Sequence, residues 1–129
     1  MRKFITAALA AASLAAMTGA AFAHHSTSLG FLPDKRVTVE GQFVGFKWLN
    51  PHVLMQFEVA DAKGKKALWT AETHSTSVLT RFGWRKNMFK PGDKVTVFGQ
   101  PGRKDPHAMH MLRVTANGKT YNVNASGPP

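Results

Sequence analysis

Two alternating segments flank Asp61-Ala62-Lys63-Gly64-Lys65, and together they constrain this chain more than any other feature. In the first, His52 to Ala60, Val53, Met55, Phe57 and Val59 alternate with His52, Leu54, Gln56 and Glu58. A period of two sends successive side chains to opposite faces of a strand. The linking residues suit a type I turn closed by a left-handed glycine, a common hairpin loop. The second segment runs from about Lys66 to Thr73. Pairing Asp61 with Lys65 sets Val59 against Ala67, Phe57 against Trp69 and Met55 against Ala71. A one-residue slip would turn every apolar residue of one strand away from its partner, so the pattern specifies the register.

Further strands follow from the same logic. Val37, Val39 and Phe43 alternate with Thr38, Glu40 and Gln42. Beyond Gly41 and Gly45 the apolar parity switches to Val44, Phe46 and Trp48, which predicts a long, bent first strand. Asn50-Pro51 breaks it. Ser75 or Thr76 can cap a short helix ending about Phe82, with Gly83 as its stop. Lys90-Pro91-Gly92-Asp93 is a tight turn into a strand over Lys94 to Gly99, and Pro101 to Pro106 is a loop. Met109 to Thr115 is a strand, and Asn117-Gly118 turns it into another over Lys119 to Asn124. The expected fold is all-β: a small OB-like barrel of five or six strands with one short helix between strands three and four. An SH3-like barrel or a small sandwich is the alternative.

The N-terminus reads as a secretory signal peptide. Arg2 and Lys3 precede an Ala- and Leu-rich run from Phe4 to Met17, and Ala21-Phe22-Ala23 offers small residues for cleavage after Ala23. The run is short for a ~30 Å hydrocarbon core, and Thr18 and Gly19 interrupt it, so the chain is not expected to be transmembrane. The expected division is signal peptide 1–23, N-terminal arm 24–36, a single barrel domain 37–124 and a frayed tail 125–129. Cleavage leaves 106 of the 129 residues, with 15 basic against 7 acidic side chains. Such scattered charge reads as a solvated surface, with weak attraction for anionic lipid headgroups, cell-wall polymers or acidic proteins. Cysteine is absent, which excludes disulfides and every thiolate chemistry.

Chemistry therefore rests on histidine. His24, as the new first residue, would offer an α-amino nitrogen and an imidazole together, and His25 would add a second imidazole. Such nitrogen sets suit Cu(II) first, with Ni(II) and Zn(II) behind it. In the hairpin register His52 lies opposite His74, with Glu72 diagonal to His52 on the same face. Two imidazoles and a carboxylate make a partial metal site, although the pair taken alone favours half-exposed histidines hydrogen-bonded at a barrel rim to backbone or Asn50. His107-Ala108-Met109-His110-Met111 combines imidazole and thioether, which favours copper, but a strand would send Met109 and Met111 to one face and His110 to the other. Core or rim methionines beside a loop histidine are the better account.

Catalytic signatures are missing: no nucleophile-elbow G-x-S-x-G, no H-E-x-x-H and no phosphate-cradling glycine loop. Trp48, Trp69, Trp84 and Phe46 on a basic barrel would suit single-stranded nucleic acid, a partner that export argues against.

Ala23-His24-His25-Ser26, Trp48-Leu49-Asn50-Pro51-His52, Trp69 with Glu72, Gly83-Trp84 and Lys90-Pro91-Gly92-Asp93 occur here in one order. In this the chain resembles a family of short exported bacterial proteins known only as a domain of unknown function. The resemblance covers nearly all of the mature chain. It implies an all-β periplasmic domain with a shared role for the His-His start and the Asn-Pro-His turn, and it brings no activity. The leading reading is a periplasmic, non-enzymatic metal-binding domain, with copper ahead of zinc or nickel and His24, His25, His52, Glu72 and His74 as ligands. The alternative is an adaptor whose barrel face, with Trp48, Trp84 and nearby Arg and Lys, contacts a protein, a glycan or a lipid headgroup.

Overall fold

The hairpin forms in the register its apolar pattern demands, from Ala60↔Lys66 through Phe57↔Trp69 to Leu54↔Glu72. Asp61 closes it, its Oδ1 accepting from the backbone N–H groups of Lys63 and Lys65 at 2.9 Å each, and Gly64 takes the left-handed conformation at φ 81°. The computed structural model describes residues 30–123. The expected signal peptide 1–23, the arm up to residue 29 with His24 and His25, and the tail from residue 124 lie outside the described residues.

The elements are β1 (Val37–Lys47), β2 (Leu54–Ala60), β3 (Lys66–Glu72), α1 (Thr76–Arg81), β4 (Lys94–Pro101), β5 (Ala108–Ala116) and β6 (Lys119–Asn122). β1 lies between β2 and β4, antiparallel to both, and β4 pairs antiparallel with β5. A short parallel pairing of β3 with β5, Thr70↔Ala108 to Glu72↔His110, closes five strands into a barrel, and β6 adds a sixth outside it. This is the OB-like order, with the helix between β3 and β4. Among the described residues no helix is long and apolar enough to cross a membrane.

Local chemistry explains the irregularities. The register of β1 shifts between Phe43 and Gly45, leaving Val44 as the extra, outward-facing residue of a bulge. Phe43 donates to Asp93 O and accepts from Gly92 N–H, both at 2.8 Å, so the Lys90–Asp93 turn docks on that bulge. Ser75 caps α1 through Val78 N–H, and Gly83 at φ 85° follows the helix, as expected. A second shift, between Phe98 and Gly99, brings β4 so close to β5 that a Cβ on Gly99 would overlap the His110 carbonyl. Only glycine leaves room there.

The barrel interior is packed by Val53, Met55, Phe57, Ala71, Val95, Val97, Met109, Met111 and Val114, and Leu79 of α1 packs into the same core. Trp84 is fully buried rather than on a binding face. Its Nε1–H donates to Asn122 O at 2.8 Å, and its ring meets Phe46, Phe89 and Tyr121 edge-on. Burying an indole of ~200 Å² at ~25 cal/mol/Å² favours the interior by roughly 5 kcal/mol as an upper bound, and the satisfied N–H removes the polar penalty.

Candidate functional site

Four polar side chains gather at the rim where β2 begins and β3 ends: His52, Glu72, His74 and His110. The loop that delivers His52 is held by Asn50, whose Oδ1 accepts from the Thr76 N–H at 3.1 Å and the Thr76 hydroxyl at 3.0 Å. The Asn50–Pro51 bond within it is cis. The first turn of α1 is thus tied to the residues just before β2.

Beyond Leu54↔Glu72 the hairpin ladder changes. Val53 donates to His74 O at 2.9 Å, while Thr73 donates to Val53 O at 3.0 Å, so two residues oppose one. The buried Thr73 hydroxyl also donates to Val53 O, at 2.8 Å, and reinforces the distortion. His52 therefore does not face His74 squarely, as a continued ladder would require. Instead its Nδ1 lies 2.6 Å from Glu72 Oε1, with both side chains about one-third exposed or less (34% and 27%). A carboxylate on Nδ1 fixes the proton there and leaves the Nε2 lone pair outward, the tautomer of a metal-ready imidazole.

His74 turns toward a residue that pattern reasoning left without a role. Its ring lies 6.3 Å from that of His110, perpendicular at 89°. His110 arrives through the barrel closure, as the parallel neighbour of Glu72, with Gln100 on its other side. Phe31 covers its ring at 5.6 Å. Burial first, and then the neighbouring His52, holds the His74 pKa below the usual imidazole value. His110 is pushed down to about 4, by burial first and then by His74 and His52. Both rings are therefore neutral near pH 7, as ligation requires. Among the described residues the buried Nδ1 of His110 has no hydrogen-bond partner.

Among the described residues no three His, Asp or Glu groups already converge on a point that could hold a metal. The shortfall is small in one respect. Two imidazoles on one tetrahedral ion, bound at ~2.0–2.1 Å, have ring centres roughly 5 Å apart. The ring centres of His74 and His110 stand 6.3 Å apart.

Other sequence candidates fall elsewhere. Met109 and Met111 are buried in the core, with His110 on the opposite face, so the Met-His segment offers no mixed sulfur and nitrogen set. His107 packs on Trp69 at 5.4 Å, and its N–H donates to Asp105. Trp48 is half-buried against Phe46. With Trp84 in the core, the aromatic face expected for an adaptor keeps Trp48 alone of that pair.

Comparison with known proteins adds a family and little else. A family model described as a family of unknown function, DUF6152, matches residues 10–111. No curated protein matches. Among solved structures, the chain is similar to one titled as the crystal structure of the ZRD-deleted mutant of TiaS in complex with agmatine. The TM-score is 0.45 at 15% identity, covering 69% of this chain and 26% of that one. The chain thus spans about a quarter of that protein's length, and the likeness carries no argument about activity.

Proposed function

We propose that this chain, which belongs to the DUF6152 family of unknown function, is an exported periplasmic domain that binds a metal ion without catalysing a reaction. Copper(II) is the favoured ion, ahead of zinc or nickel, because every ligand but one is nitrogen. The ligands are His52 and His74 at the rim, Glu72 beside them, and the His24 amino group and imidazole with His25.

The observation that carries this reading is the His52–Glu72 contact, which leaves a donor nitrogen on His52 at the rim it shares with His74. The arm starts close by. Phe31 pairs with Gly102 and covers His110, so His24 lies seven residues from an anchored position beside the site. Seven extended residues reach ~23–25 Å. That is ample to bring the amino terminus to the rim.

Calorimetric titration of Cu(II) into the protein with His24 as its first residue tests the proposal. One extra residue before His24 removes the chelating amine from its place, and His52→Ala removes a rim ligand; each should weaken binding at least tenfold. Affinity should also fall as pH drops through the imidazole range, since protons compete for the same nitrogens. Equal affinity for the native, extended and His52→Ala proteins would refute a shared site.

A further inference from the structure

We infer that His110 is the third imidazole of this site, and that Glu72, counted above among the ligands, instead orients His52. The inference rests on the metal-binding reading and specifies which barrel residues carry it.

His110 has the placement a ligand needs. Its backbone is fixed on both sides, by the parallel pairing with Glu72 and by the close approach of Gly99. Its ring leaves the core face to Met109 and Met111 and lies edge-on to His74. Its Nδ1 is buried and, among the described residues, has no hydrogen-bond partner, an arrangement folded proteins seldom retain without a use. A neutral imidazole has one lone pair to give, and an ion between His74 and His110 would take it. Imidazoles on a square Cu(II) ion have ring centres roughly 4.5 Å apart on neighbouring corners and roughly 6.3 Å apart on opposite ones, against 6.3 Å here.

Glu72 is engaged differently. At 2.6 Å from His52 Nδ1 its carboxylate is already committed to that N–H, the carboxylate–histidine pairing that aims Nε2 at a metal. The barrel then supplies three nitrogens, from His52, His74 and His110.

The test uses Cu(II) alone, added to the chain beginning at His24 and to its one-residue-extended form. Nitrogen couplings in electron paramagnetic resonance and X-ray absorption count the bound imidazoles. His110→Gln should lower affinity at least tenfold and remove one imidazole in both forms. Glu72→Gln should lower affinity by ~10–100-fold with the imidazole count unchanged. If the parent protein binds Cu(II) but His110→Gln keeps its affinity and count, His110 is not a ligand, although the metal-binding reading survives. If the parent binds no Cu(II), both fail. A Glu72→Gln protein that keeps full affinity overturns the orienting role. Should His110→Gln fail to fold, Zn(II) titration of the parent decides: the His110 ring nitrogen resonances must shift on binding, and unmoved resonances refute the assignment.

Discussion

Metal-free protein should lose stability on mild acidification, and His110 should account for a measurable part of that loss. In the folded chain its pKa is pushed from the ordinary 6.5 to about 4. Between those values the unfolded chain binds a proton that the folded chain refuses, so stability falls as pH falls; above 6.5 the contribution is flat. At ~1.4 kcal/mol for each tenfold change in proton affinity, the loss between pH 7.5 and 4.5 is at most roughly 2.5 kcal/mol. The ring keeps some solvent contact, and screening brings the expectation to ~1.5 kcal/mol. Guanidinium unfolding of the parent and of His110→Leu at both pH values isolates the term, because carboxylates titrate in both proteins. The parent should lose ~1–2 kcal/mol more than the variant over this range. Equal losses would show that His110 is not held neutral by burial.

Three further substitutions probe what holds the rim and the core. Gly99→Ala should cost ~1–3 kcal/mol in chemical unfolding, because its Cβ has no space beside the His110 carbonyl. Trp84→Ala should cost ~3–5 kcal/mol by the same assay, far more than truncating a tryptophan on a binding face would. Asn50→Ala removes both bonds to Thr76 and should lower stability by about 1 kcal/mol, read as a drop of ~4–8 °C in the thermal midpoint.

Much of the barrel was legible because its signals are local. The hairpin register follows from apolar matching across five loop residues, the α1 cap from Ser75, and the β1 bend from Gly41 and Gly45 with the parity change between them. The site was only half legible. His52 and Glu72 meet because they share one hairpin, but the distortion opposite Val53, which the Thr73 hydroxyl reinforces, leaves no mark on the alternation pattern. His110 went unassigned because parallel pairing between β3 and β5 joins residues nearly forty positions apart with no turn to announce it. The OB order itself held the clue, since closing such a barrel sets the end of the third strand beside the fifth. Trp84 misled for the opposite reason: beside Gly83 and Arg85 it looks like a surface aromatic, and only the packing of Phe46, Phe89 and Tyr121 shows it belongs inside.

The bridge between Phe31 and Gly102 has a kinetic meaning as well. With Leu32 N–H on Pro101 O and Arg103 N–H on Gly30 O, both at 3.0 Å, the chain is clamped where it enters the barrel. On the proposed cleavage after Ala23, only seven positions separate His24 from Phe31. Groups joined to a fixed point through a few residues experience an effective concentration on the order of millimolar, however dilute the protein. A donor that lets go of a bound ion would be recaptured before another molecule could supply one. Capture by the arm would then be independent of protein concentration, and the same residues offered as a separate peptide would need to reach that millimolar range to replace it.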